Sequence, residues 1–246
     1  MAPLEHPGSP TAFEDLVDHY DAARPTYPPA LYDALPELSG SVLELGAGTG
    51  IATRELEERA GTLVSTDLGP KMLARLHERS PSVPVAVCRA EALPFAAASF
   101  DVVCGAQMWH WVDVPVAAPD VVRVLRPGGA LAIWWNEVAA DGLSWWDAQQ
   151  DRLEAANPRY SRDYRASDYG AQLTPYFSSV EHWTTQWERT LDWPSYERWL
   201  RSKSYVQALG DVDAFVAAEQ DSLHQHFPDG HIVEPFTVSL WIARTS

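Results

Sequence analysis

The 246-residue chain carries 34 acidic against 18 basic side chains, a formal charge of −16, with 46 % apolar and 21 % charged residues. An acidic surface without a basic run argues against nucleic-acid wrapping and polybasic membrane docking, and the apolar content argues against disorder. No stretch approaches the ~20 continuous apolar residues of a membrane span, and residues 1–13 lack the basic start and apolar middle of a secretory signal, so the expected location is the cytoplasm.

Residues 1–12 are rich in Ala and Pro and read as a frayed start. From Ser41 the chain alternates strand-like apolar runs with helical spacing. Ser41 to Leu45 reads as a strand, Ala52, Leu56 and Ala60 as one helix face, and Leu63 to Asp67 as the next strand. Met72, Leu73 and Leu76 mark a second helix. Val83 to Cys88 and Phe100 to Cys104 read as strands, and Ala130 to Asn136 as a fifth after the Pro127-Gly128-Gly129 break. Pro119 falls where the helix after Asp113 runs and is expected to shorten or kink it. Cys88 and Cys104 sit inside apolar runs without metal-ligand spacing and read as reduced and structural. After Asn136 the pattern changes: Leu143, Trp146 and Leu153 keep helical spacing up to Asn157-Pro158, Trp183 to Trp187 alternate as a sixth strand, and Val212, Phe215 and Val216 suggest a helix. Phe236, Val238, Leu240 and Ile242 share one face of a closing strand.

Repeated β-α units predict an α/β fold: a Rossmann-like, mostly parallel seven-stranded sheet with helices on both faces and a helical lid over its carboxyl edge. The expected organisation is one domain over residues 1–246. Its core covers about 30–136, 177–190 and 232–246, and its lid 1–29, 137–176 and 191–231.

The most informative segment is Val42-Leu43-Glu44-Leu45-Gly46-Ala47-Gly48-Thr49-Gly50, three alternate glycines where a strand turns into a helix. Glycine there supplies positive φ and lets the backbone approach a ligand. Asp67 ends the next strand, where a carboxylate reaches the ribose of a bound nucleoside. The spacing is GxGxG, and Glu44 precedes it by two residues. A carboxylate there suits a ligand with an ammonium and a sulfonium better than a pyrophosphate, which favours S-adenosylmethionine over a dinucleotide.

This segment resembles motif I of the class I S-adenosylmethionine-dependent methyltransferases. Thr66 to Leu73, Ala90 to Phe95, Phe100 to Val103 and Arg123 to Gly129 resemble later motifs of the family in order. Tyr20-Asp21, Arg24-Pro25, Tyr27-Pro28 and Trp109-His110-Trp111 are similar to its small-molecule branch, the methyltransferase type 11 and trans-aconitate methyltransferase-like proteins. The resemblance implies that Gly46, Ala47, Gly48 and Gly50 line the methionine part of the cofactor and that Glu44 helps to place its ammonium. It also implies Asp67 on the ribose, Leu68 and Met72 beside adenine, Ala90 and Glu91 at adenine's edge, and Gln107 beside the transferred methyl. Tyr20 and Arg24 would fold over the cofactor carboxylate, since Arg can bind one bidentately.

Methyl transfer from a sulfonium needs alignment and exclusion of water, and a base only where the nucleophile must lose a proton. His110 is the candidate base, against the plainer reading of a hydrogen-bonded wall residue. Trp109, His110, Trp145, Trp146 and Tyr205 are candidate substrate contacts, although a lid also needs aromatics for its own core. Arg201 and Lys203 read more readily as a solvated helix face than as receivers of a carboxylate, and His224, His226 and His231 lack metal-site spacing, so no metal is expected. The expected function is transfer of a methyl group to an O, N or C nucleophile of a small molecule, with S-adenosylhomocysteine as product. The expected partners are that small molecule and no nucleic acid or membrane, in a monomer or homodimer. The alternatives are a non-methylating S-adenosylmethionine-binding scaffold and a nicotinamide-dependent oxidoreductase, the latter disfavoured by Glu44 and the glycine spacing.

Overall fold

The computed structural model describes residues 24–139, 142–162 and 167–246. Strands β1 (Ser41–Leu45), β2 (Thr62–Asp67) and β4 (Phe100–Ala106) form from apolar and β-branched runs and are largely buried, as central strands covered on both faces must be. With β3 (Val85–Val87), β5 (Leu125–Val138), β6 (Ser179–Asp192) and β7 (His231–Arg244) they make a seven-stranded sheet ordered β3-β2-β1-β4-β5-β7-β6. β1 pairs in parallel with β2 and β4, β3 with β2, and β5 with β4. β7 runs against β5: Gly128 N donates to Ser246 O near one end and Ala139 N to Pro235 O near the other. Rings that face each other across β6 and β7, His182 on Trp241 and Trp187 on Phe236, place that pair antiparallel as well. The strand order reverses at β1, so the crevice beyond the carboxyl ends of β1 and β4 is the switch point where open α/β sheets take ligands.

The connections of the parallel strands are α2 (Thr53–Glu57), α3 (Pro70–Arg79) and α4 (Val114–Val124), preceded by α1 (Pro29–Ala34). Proline at the start of α3 costs no hydrogen bond, and Met72, Leu73 and Leu76 form its buried stripe. α4 runs through Pro119 for eleven residues. The exposed ring leaves only the Pro115 carbonyl without its helical donor, while Ala117, Ala118, Val121 and Val124 keep the helix docked.

Several boundaries differ from the sequence reading, three of them for a visible reason. β3 is shorter because Pro84 has no N–H for the ladder, although its carbonyl still accepts from Ser65 N at 3.0 Å. β5 begins five residues early: Gly128 at φ +75° and a register shift between Phe100 and Val102 absorb the break, and Thr245 N pairs with Gly129 O at 2.9 Å. The first helical face shrinks to the five residues of α2.

Contacts divide the chain into two compact units. The sheet unit comprises Thr26–Glu137, Ser167–Thr185 and Thr237–Ser246. Its core includes Leu43, Leu45, Val103, Leu131, Ile133 and Trp135. Residues 167–176, read from sequence as lid, lie in this unit, where Tyr169 and Leu173 of α6 (Tyr169–Leu173) are buried. The described residues of the other unit are 24–25, 138–139, 142–162 and 186–236. It contains α5 (Ser144–Ala156), α7 (Trp193–Arg201), α8 (Ser204–Gln207) and α9 (Val212–His226) around Leu153, Tyr196, Leu200, Val206 and Leu223. Asp192 and Asp211 cap α7 and α9 by accepting from Ser195 N and Ala214 N, both at 2.9 Å.

Candidate functional site

β1 runs into a turn in which Gly46, Gly48 and Gly50 have φ of +62°, +56° and +87°. The turn is tied to β2 by Ala47 N, which donates to Thr66 O at 2.9 Å. The glycines differ in what surrounds them. A Cβ on Gly46 would come within 2.7 Å of Met108 Cβ, so glycine there is a packing requirement. Among the described residues a Cβ on Gly48 would meet nothing within 4 Å, so the backbone at Gly48 borders open space there. Asp67, at the end of β2, accepts from Gly48 N through Oδ2 and from Gly69 N through Oδ1, both at 2.8 Å. It therefore clamps the turn to the start of α3.

Glu44 lies beneath the turn. It is 1 % exposed, and its Oε2 accepts from Thr53 Oγ1 at 2.6 Å and Ser65 Oγ at 2.7 Å. Burial pushes its carboxyl up to about 7 in spite of those two hydrogen bonds. Glu44, expected to help place a ligand ammonium, here joins β1 to α2 and β2. Thr53 and Ser65 are the site residues that sequence reasoning missed. Ser65 stands opposite Glu44 in the β1–β2 register, a signal available once the strands are aligned.

On the far side of Asp67, Leu68 is 36 % exposed, whereas Met72 is buried on α3. Ala90 is partly exposed. The Glu91 carboxylate accepts from Asp113 N at 3.0 Å and pairs with Arg89 at 3.4 Å, fixing the approach to α4. Its presence at an adenine edge thus competes with a structural duty.

Beyond β4 the chain makes a strained corner. Gln107 has φ +56°, a left-handed conformation uncommon outside glycine. Its N–H donates to Trp134 O at 2.9 Å, and its Nε2 to Asn136 O at 3.0 Å. Asn136 Nδ2 in turn donates to Thr26 O at 2.8 Å. Trp109, read as a substrate contact, is 1 % exposed within the sheet unit's core. His110 stands on the short 3-10 turn Trp109–Trp111, with its ring 5.1 Å from that of Trp111. Trp135 Nε1 lies 3.3 Å from His110 Nδ1. An indole N–H can only donate, so Nδ1 accepts and the neutral imidazole carries its proton on Nε2.

The remaining expected contacts belong to the helical unit. Arg24 donates through Nη2 to Ser202 O at 2.9 Å, and Tyr20 lies outside the described residues. Trp145 is buried edge-on against Trp146 and Phe227. Tyr205 is buried 4.7 Å from the Tyr160 ring. Lys203 is only 6 % exposed, against the expectation of a solvated face: its ammonium sits 3.3 Å from the Trp199 ring centre, with Trp146 and Tyr205 within 6 Å. Glu234, fully buried, pairs with Arg189 at 2.6 Å, and burial raises its carboxyl.

Residues 43–133 match the family described as "Methyltransferase domain". An uncharacterized methyltransferase-like protein of Schizosaccharomyces pombe is 30 % identical over 227 residues, covering 88 % of this chain and 87 % of that protein. The chain belongs to the methyltransferase family. An uncharacterized methyltransferase of Mycobacterium tuberculosis is 44 % identical over 126 residues, 51 % of this chain and 52 % of that protein, so this match spans about half of the relative's length. Among solved structures, a proposed type II methyltransferase from Anaeromyxobacter dehalogenans aligns with a TM-score of 0.70 at 25 % identity, covering 90 % of this chain and 97 % of that one. The Haemonchus contortus phosphoethanolamine N-methyltransferase 2 solved with S-adenosyl-L-methionine shares the fold at 18 % identity and a TM-score of 0.57, covering 97 % of this chain and 60 % of that one.

The family's cofactor is S-adenosylmethionine, and residues of this site fit it. The space beside Gly48 admits a ligand against bare backbone, Asp67 brings a carboxylate beside it, and Leu68 offers an apolar surface. Among the described residues no group of three or more His, Cys, Asp and Glu could hold a metal, and both cysteines are free. No helix of the described residues is long and apolar enough to cross a membrane.

Proposed function

We propose that this chain transfers a methyl group from S-adenosylmethionine to an O, N or C nucleophile of a small molecule, releasing S-adenosylhomocysteine. The observation that carries the reading is the pairing of open space at Gly48 with the Asp67 carboxylate at the switch point of the sheet. A small acceptor agrees with the charge of −16, which repels nucleic acid. It agrees too with a malonyl-[acyl-carrier protein] O-methyltransferase of Halorhodospira halophila, 41 % identical over 96 residues, which cover 37 % of this chain and 32 % of that protein.

When bound, the cofactor supplies an electrophilic methyl group on a sulfonium. The chain's own residues bind and orient. The turn from Gly46 to Gly50 offers close backbone approach, and Asp67 accepts from vicinal hydroxyls while staying anchored by two amides. His110, held by Trp135 with its proton on Nε2, presents a hydrogen-bond donor. It becomes a base at Nε2 only by moving that proton to Nδ1 and giving up the Trp135 bond. Its first role in this reading is therefore to orient an acceptor oxygen.

The test is transfer of a labelled methyl group from S-adenosylmethionine into a metabolite extract, with identification of the labelled product. A labelled small molecule is expected. A protein that binds cofactor yet labels nothing in any extract contradicts the reading.

A further inference from the structure

β6 (Ser179–Asp192) is the last strand in the sheet order, and among the described residues no strand pairs with its outer edge. Edge strands are ordinarily kept short, bent by a bulge, or interrupted by proline or lysine, because a row of edge N–H and C=O groups recruits another strand. β6 has none of these devices. It runs for 14 residues without proline, glycine or lysine, and Trp183-Thr184-Thr185-Gln186-Trp187 at its middle carries no charge. It is also regular. The ring pairs His182–Trp241 and Trp187–Phe236 lie five residues apart on both strands, so no bulge interrupts the middle of the ladder. His182, Thr184, Gln186 and Glu188 accordingly share one exposed face, and Trp183, Thr185 and Trp187 share the half-buried other.

This stretch is complementary to itself read backwards. When two copies meet antiparallel about a twofold axis at Thr185, that threonine faces Thr185 of the partner subunit. Thr184 then faces Gln186 of the partner subunit, Trp183 faces Trp187 of the partner subunit, and His182 faces Glu188 of the partner subunit. Hydroxyl, aromatic and acid–base pairs of this kind are what stabilise neighbouring strands. One step further out Glu181 meets Arg189 of the partner subunit, which keeps its own Glu234 as ion-pair partner. Adjacent registers lose the match. Centring on Thr184 sets Glu181 against the partner's Trp187 and Val180 against the partner's Glu188, and centring on Gln186 sets Leu191 against the partner's Glu181.

We propose that this chain forms a homodimer in which β6 pairs with β6 of a second copy, antiparallel about Thr185, so that the two sheets continue into one. Pairing residues 180–190 supplies about ten backbone hydrogen bonds, the number that a stable interface ordinarily carries. The charge of −16 on each chain opposes association, and this register sets no acid against an acid.

The test is sedimentation equilibrium of the full chain with two kinds of variant. Wild type at ~100 µM is expected to sediment as a dimer. Glu188→Lys, at an exposed position, sets lysine against His182 at two symmetric places and is expected to weaken the dimer about tenfold. It also lowers the net negative charge, so an association governed by general repulsion would strengthen instead. Adding His182→Glu restores an opposite-charge pair and is expected to return the affinity to that of wild type. Cysteine reads the register: Thr185→Cys meets its own copy and is expected to give a disulfide-linked dimer on mild oxidation, whereas Thr190→Cys faces Val180 of the partner subunit and is expected to give none. Monomeric wild type at ~100 µM overturns the proposal. A dimer that is unchanged by Glu188→Lys, or that cross-links as well through Thr190→Cys as through Thr185→Cys, overturns it too, because it is built on another surface.

Discussion

The carboxyl of Glu44 makes stability depend on pH in a direction opposite to that of most acidic residues. Burial raises it from 4.5 to about 7, so the folded state binds a proton that the unfolded state has released between those values. Its contribution to stability is present in full below about pH 4.5 and is lost as pH rises through 7. The gap of about 2.5 pH units corresponds to about 3 kcal/mol at ~1.4 kcal/mol per unit. Glu44→Gln keeps an oxygen for Thr53 and Ser65 and cannot ionise. Urea unfolding of both proteins at pH 4.5, 6 and 8 measures the difference. The variant is expected to be of similar stability at pH 4.5 and to gain about 3 kcal/mol on wild type by pH 8. Differences that do not change with pH would refute the claim that a buried, titrating Glu44 lies under the turn.

Gly46→Ala is expected to cost more than 2 kcal/mol in urea unfolding, because its Cβ adds a 2.7 Å clash with Met108 to the positive-φ strain. Long-range nitrogen NMR of His110 is expected to show the Nε2–H tautomer, and Trp135→Phe to shift the ring toward a tautomer mixture; an Nδ1–H ring in wild type would remove the donor role. Arg189→Leu leaves Glu234 buried without its ion-pair partner and is expected to destabilise by about 3 kcal/mol at pH 7. That loss should shrink on acidification, because a carboxyl already raised by burial then takes a proton. An unchanged loss at pH 5 would contradict it.

The strands along the chain, the glycine turn and Asp67 were legible because each leaves a local mark: apolar runs, alternate glycines, and an acid at a strand end. Burial was less legible. Nothing local says that Glu44 is sealed while Asp67 stays at the edge. The difference arises from β2 placing Ser65 opposite Glu44 and α2 bringing Thr53 above it. Lys203 misled for the same reason. A lone lysine reads as solvated, and only the tertiary approach of Trp146, Trp199 and Tyr205 makes the aromatic box that holds it. Pro119 failed to break α4 because docking by Ala117, Ala118 and Val121 outweighs one lost helical bond. Gln107 was placed at the site by resemblance, but its orientation depends on Asn136, 29 residues away.

The central claim is that a cofactor lies against the backbone of Gly48, next to Asp67. Gly48→Ala isolates it, since the added methyl meets no atom of the described residues within 4 Å and costs its positive-φ strain, about 1 to 2 kcal/mol. Calorimetric titration of S-adenosylhomocysteine into wild type and Gly48→Ala is expected to show tight binding in the first and a loss of about tenfold or more in the second, with the fold intact. Equal affinity in the two proteins would mean that the ligand sits elsewhere.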